Sequence, residues 1–253
     1  MLEISWGFAA LLLSTGLIAG VINTLAGGGS NLTLPALMMM GMPPEVANAT
    51  NRIGVFAQCM VGAKSFDQHG MLERGDVWPI LWPTLIGAAV GGFMASYMPS
   101  EYLKPVLLGT MLTMALLILV RPSIVAPPMG VEPYTVSQRP SAWWVLLGAG
   151  FYGGFVQAGV GFILIAALAG SLRYDLVRTN ALKLLCTAAF TLVALGIFIV
   201  RGQVEWIPGL VLAIGTMAGA RIGVGLALQV SQTALKWFLF VMTLAASAAA
   251  LYL

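Results

Sequence analysis

From Trp6 to Ile22 the chain reads WGFAALLLSTGLIAGVI, and from Val106 to Val120 it reads VLLGTMLTMALLILV, with no charge in either stretch. Such runs are near or just below the roughly 20 residues that cross a bilayer, and they recur along the sequence. Hydrocarbon solvates no charge and no open backbone amide, so only a helix can carry these runs through it. Charged residues make up 8% of the chain and hydrophobic ones 59%, against roughly 25% charged in a soluble domain. The fold class this dictates is an all-α polytopic membrane protein.

Eight spans are expected: Trp6 to about Ala26, Val46–Ala63, Val77–Tyr97, Leu103–Val120, Ala142–Ala158, Val177–Val200, Ile207–Leu228 and Leu235–Leu253. The first is read as a retained span, because a cleavable signal opens with basic residues and here the first charge is Glu3. Two further apolar segments, LTLPALMMMGM (Leu32–Met42) and GFILIAALAG (Gly161–Gly170), are too short for an ordinary crossing and read as broken or re-entrant. Pro35 lacks an N–H and favours an early helical turn. The longest polar connection, Arg121–Ser141, holds five prolines and reads as an extramembrane linker.

That linker separates two similar halves, residues 1–120 and 142–253. Thr50-Asn51 heads one span and Thr179-Asn180 heads another, 129 residues later. Gly75 opens a segment echoed 127 residues later from Gly202, and Lys104 is echoed by Lys236 at a spacing of 132. Three features in one order at nearly constant spacing indicate an internally duplicated helical bundle, a habit of secondary transporters. If the short segments re-enter, each half crosses four times and both share an orientation; if they cross, the halves are inverted. Basic residues divide almost evenly between the two sides, and the eight-crossing arrangement is the one adopted here.

Several functions are disfavoured. The net charge of +3 is dispersed, which leaves nucleic acid without a patch to bind. Cys59 and Cys186 sit in apolar helices, where small-volume packing is the reading rather than a disulfide or metal ligation. His69 stands alone in a polar loop. With no HExxH, no GxSxG and no paired carboxylates, neither enzyme chemistry nor a cofactor is expected.

What remains is VINTLAGGGSNLTLP, Val21–Pro35, where the apolar pattern stops at Gly27, Gly28 and Gly29. Irregular backbone at membrane depth has to face protein or a polar cavity. A helix starting after Gly29, with Ser30 or Asn31 as its cap, would aim its first N–H groups at an anion. The matching place in the second half is VQAGVGF, with Gln157, Gly159 and Gly161; Asn23 is the counterpart of Gln157. Asn51 and Asn180 read either as caps and interhelical glue or as amide ligands, with Thr50 and Thr179 adjacent. Arg52 and Lys183 follow the two Asn residues and favour an anion. Arg221 lies near the middle of an apolar run, costs about 2.5–3.5 kcal/mol on insertion scales, and reads as a pathway residue or a structural tie. No carboxylate lies within a span, so a cation carrier is a poor fit.

These two blocks, from GLIAGVINTLAGGGSNLTLP through ATNRI and from GGFVQAGVGFILIAALAG through RTNALK, resemble the TauE/SafE sulfite exporter family of bacterial transporters. The resemblance implies movement of a small sulfur-containing anion, sulfite or a sulfonate, across the bacterial cytoplasmic membrane. It carries over Ala26 to Gly29, Pro35, Thr50, Asn51 and Arg52, and then Gly159, Gly161, Thr179, Asn180 and Lys183. Arg52 stands where lysine is expected, and the second half sets its lysine two positions later, which breaks exact equivalence. A secondary carrier is the leading reading; a passive anion channel and a non-transporting membrane scaffold are the alternatives. A homo-oligomer in membrane lipid is compatible with all three.

Overall fold

The computed structural model describes residues 6–72, 74–120 and 132–229. Among them are nine α-helices and no strand: α1 Trp6–Leu25, α2 Ser30–Met39, α3 Pro44–Gln68, α4 Arg74–Tyr97, α5 Ser100–Val120, α6 Pro140–Phe155, α7 Val160–Ile165, α8 Leu176–Val200 and α9 Trp206–Gln229. A π-helical turn, Ala166–Ser171, prolongs α7. Four of these helices, α1, α4, α8 and α9, are long and apolar enough to cross a membrane. Outward positions on α4 and α9 are large and apolar, among them Trp82, Phe93, Leu210 and Ile214, while Asn51, Arg52, Asn180 and Lys183 are buried. Polar inside and greasy outside is the distribution a bilayer imposes. The expected span Leu235–Leu253, most of the linker and the echo at Lys236 lie outside the described residues. Of the linker, residues 132–139 form coil and a turn, and Pro140 and Ser141 already belong to α6.

Two glycine seams organise the bundle. Gly16 and Gly20 of α1 lie on Gly215 and Gly219 of α9, backbone against backbone, in parallel; Gly87 and Gly91 of α4 meet Gly150 and Gly154 of α6 in the same way. Glycines spaced by four fall on one helix face and let two axes approach closely. α3 and α8 pack antiparallel between the seams, with Gly62 against Leu184 and Ile53 clustered with Leu195.

Hydrogen bonds fix which helix ends lie together. Arg74 pairs with Asp67, and Tyr174 bonds Asp76, so the end of α3 and the starts of α4 and α8 share one end of the bundle. Ser100 donates to Glu45, and the Gln203 amide to the Ser96 carbonyl, which puts the start of α3 and the ends of α4 and α8 at the other. α1 therefore runs inward beside α9, and α2 returns to the end where α3 begins. Together they form a hairpin. α6 and α7 form a second hairpin entering from the opposite end. Because the helices headed by the two Thr-Asn pairs run antiparallel, the halves do not share an orientation, as the eight-crossing arrangement required. Pro35 also departs from expectation: it stands in the second turn of α2, leaving the Asn31 carbonyl without an i+4 amide.

Candidate functional site

The tips of the two hairpins overlap. Thr24 of α1 lies against Gly223, six residues before the end of α9, and Phe155 lies against Gly91, six before the end of α4. Beyond those points both chains leave helical geometry. Gly27 has φ +94° and Gly159 has φ +76°, a region that costs glycine nothing and other residues strain. Gln157 adopts φ +67° without that freedom, a strained backbone of the kind concentrated at functional sites. Gly27 and Gly161 touch backbone to backbone, so that a methyl group on either would collide with the other. The two breaks are a single place.

Neither new helix is capped by a side chain. Gly29 precedes α2 and Gly159 precedes α7, each without a side-chain acceptor, so Ser30 and Asn31 are helical residues and not the cap. Among the described hydrogen bonds, the amides of Gly28, Gly29 and Ser30 donate to no backbone carbonyl. Ser30 opens α2 and Gly29 is its N-cap, so the helix leaves both N–H groups unpaired, and Gly28 stands one residue ahead of them. The Phe162 ring lies over Gly28, within 2.9 Å of where a Cβ would stand.

Asn51 joins the breaks. Its Oδ1 accepts from Thr33 Oγ1 at 2.6 Å, and its Nδ2 donates to Ser30 Oγ at 3.1 Å and Gln157 Oε1 at 3.4 Å. Gln157 Nε2 in turn donates to Thr191 Oγ1 at 2.8 Å. Asn180 is used differently. Its Oδ1 accepts from Lys183 at 2.8 Å, while its Nδ2 is buried with no partner. Asn31 Oδ1 is likewise buried and unpaired. Neither Asn51 nor Asn180 is a helix cap, since Pro43 and Asp175 hold those positions.

Arg52 and Lys183 point at carbonyls. Lys183 Nζ donates to the carbonyls of Asn23 and Thr24 at 2.9 Å each, in the last turn of α1. Arg52 donates to the carbonyls of Gly153 at 3.0 Å and Gly154 at 2.6 Å, in the last turn of α6, and lies over the Phe198 ring. Asn48 supports it, donating to the Phe155 carbonyl at 2.9 Å. A glycine-rich break leaves those carbonyls without i+4 amides, and a cation there also meets the negative end of the helix dipole.

Three expected site residues lie elsewhere. Arg221 is exposed on the outer face of α9. It stands two residues from both Gly219 and Gly223, some 200° around a 3.6-residue helix from the seam they form. The Thr50 hydroxyl accepts from the Glu205 amide at the start of α9, and the Thr179 hydroxyl donates to the Tyr174 carbonyl. Conversely Thr33, Asn48 and Thr191 belong to the buried network and carried no signal beyond being polar in apolar surroundings.

A sequence profile for the sulfite exporter TauE/SafE matches residues 12–250. A probable membrane transporter protein of Haemophilus influenzae is 29% identical over 99% of this chain and 97% of its own. The probable membrane transporter protein YfcA of Escherichia coli K12 is 27% identical, with 96% and 89% covered. YdhB of Bacillus subtilis, also a probable membrane transporter protein, is 26% identical over 82% and 84%. No solved structure matches the chain.

Proposed function

Because the chain belongs to the TauE/SafE family of membrane transporters, we propose that it is a secondary carrier moving sulfite or a small organosulfonate across the bacterial cytoplasmic membrane by alternating access. The observation that carries this reading is the buried, unpartnered Asn180 amide, tied through Lys183 to the Asn23 and Thr24 carbonyls just ahead of the break that leads into the uncapped α2. An unpaired buried amide costs about 1–3 kcal/mol, a cost that a bound oxyanion removes. The N–H groups of Gly28, Gly29 and Ser30 supply donors without formal charge, and the helix dipole adds positive potential. Asn23, Asn31, Gln157, Gly159 and Gly161 complete the wall. Arg52 and Lys183 contribute their field from behind it.

The architecture in this reading is one unit repeated and inverted, residues 1–120 and 142–253, joined by 121–141. Its support is an exchange of partners: the first helix of each half pairs with the fourth of the other, α1 with α9 and α6 with α4. The hairpins α1–α2 and α6–α7 enter from opposite faces, a geometry suited to opening one face at a time. Lys64, Arg74, Arg139, Arg173 and Arg178 gather at one end, against Lys104 and Arg201 at the other. The positive-inside rule makes the first end cytoplasmic.

Radiolabelled sulfite uptake into proteoliposomes preloaded with unlabelled sulfite tests the mechanism. A carrier produces a transient overshoot that disappears without preloading. Uptake indifferent to preloading identifies a channel, and no uptake of sulfite or sulfonates by folded protein removes the transport reading for this substrate class.

A further inference from the structure

Resting on the carrier reading for its place in the cycle, we infer that Arg52 and Lys183 are crossed latches: positioning residues that each fasten the hairpin tip of the opposite half, and not ligands of the transported anion. The argument begins with donors. An ammonium has three hydrogens, and those of Lys183 are taken by the Asn23 and Thr24 carbonyls and by Asn180 Oδ1, at 2.8–2.9 Å. The terminal nitrogens of Arg52 bond Gly153, Gly154 and Asn48, while its Nε is buried without a partner. The donors are thus all used in Lys183 and not in Arg52, whose assignment rests on the helix end it faces. Each side chain is at most 1% exposed, and what each faces is the end of a helix and not a carboxylate. The relation is reciprocal. Lys183 on α8 holds the end of α1, and Arg52 on α3 holds the end of α6. Each latch belongs to a different helix, so one hairpin can be released while the other stays fastened.

The chain's two cysteines report on the two tips. Cys59, on α3, is packed in one cluster with Ile22, Leu25 and Ala26 at the tip of the first hairpin, a cluster that also holds Phe162 and Ile165 of the second. Cys186, on α8, is packed with Val160 and Leu164 of the second hairpin. The latch assignment therefore makes a crossed prediction. In proteoliposomes treated with N-ethylmaleimide, Lys183→Met raises the modification rate of Cys59 tenfold or more and leaves Cys186 within about twofold, although Cys186 is the nearer in sequence. Arg52→Met raises the rate at Cys186 tenfold or more and that at Cys59 by less, since Phe162 and Ile165 of the second hairpin share the Cys59 cluster. Lys183→Arg and Arg52→Lys, which retain donors for the carbonyls, stay close to the parent in labelling and within about threefold in sulfite affinity. A parallel rise at both cysteines, or no rise at either, overturns the assignment. Should the Met variants fail to fold, a tenfold or greater loss of sulfite affinity in the Arg and Lys exchanges overturns it instead, because a direct ligand does not tolerate that change of geometry. Absence of sulfite counterflow in the parent is a separate result; it removes the carrier reading and leaves the labelling pattern to be judged by itself.

Discussion

Asn51 and Asn180 hold matching places in the sequence and have different work. All the capacity of Asn51 shown by its contacts goes to Thr33, Ser30 and Gln157, whereas Asn180 keeps a free Nδ2. Asn51→Ala is accordingly expected to lower stability by about 1–3 kcal/mol, read as a drop in the unfolding midpoint in detergent. Asn180→Asp retains an acceptor for Lys183 while replacing the free donor with negative charge. Its midpoint should hold, and its sulfite affinity, measured by equilibrium binding, should fall by tenfold or more; unchanged affinity would show that the free amide faces no anion. Glycines at the break divide in a similar way. Gly27→Ala drives a methyl group into the Gly161 backbone at positive φ, while at Gly28 the obstacle is the Phe162 ring, which can swing aside. Transport by equal amounts of reconstituted protein should be abolished by Gly27→Ala, reduced severalfold by Gly28→Ala and left unaltered by Gly148→Ala, whose surroundings are open.

The seams show why helices were easier to read from the sequence than their arrangement. Apolar length located α1, α3, α4, α5, α6, α8 and α9 within a few residues, because length and hydropathy decide whether a segment is helical in lipid. Glycines recur at intervals of four on α1, α4, α6 and α9, the spacing that close approach requires. Direction was another matter. Whether α2 turns back or continues depends on what it packs against, and Thr33 meeting Asn51 leaves no local trace in the sequence. Arg221 was misplaced for want of one step: the glycine face of α9 already fixed the opposite direction for a residue two positions away. The acceptors of Arg52 and Lys183 are backbone carbonyls, which have no residue signature at all. If the seams hold the bundle, Gly219→Ile and Gly91→Ile should each eliminate the monodisperse peak in fluorescence-detected size exclusion, since overpacking against backbone costs about 1–3 kcal/mol or more. Gly196→Ile, with nothing within 4 Å, should elute like the parent.

At the scale of the whole molecule, the described residues put five basic side chains at one end of the bundle and two at the other, and the proposed orientation rests on that difference. With Cys59 and Cys186 replaced by alanine, Ser137→Cys at the basic end should resist a membrane-impermeant maleimide in intact cells and react after permeabilisation. Glu101→Cys at the opposite end should react in both conditions; the reverse pattern would invert the assignment. The exchange of partners between halves also has a consequence for biosynthesis. α1 emerges with its glycine face bare, and its mate α9 begins 200 residues later. At about 5–20 residues per second, that is a wait of roughly 10–40 seconds in the membrane. During this interval the nascent first half is an unfinished client of the insertion machinery and a target for membrane proteases. Expressed by itself it should be degraded, and it should persist when the second half is supplied as a separate polypeptide, so that assembly is governed by the order of synthesis as well as by affinity.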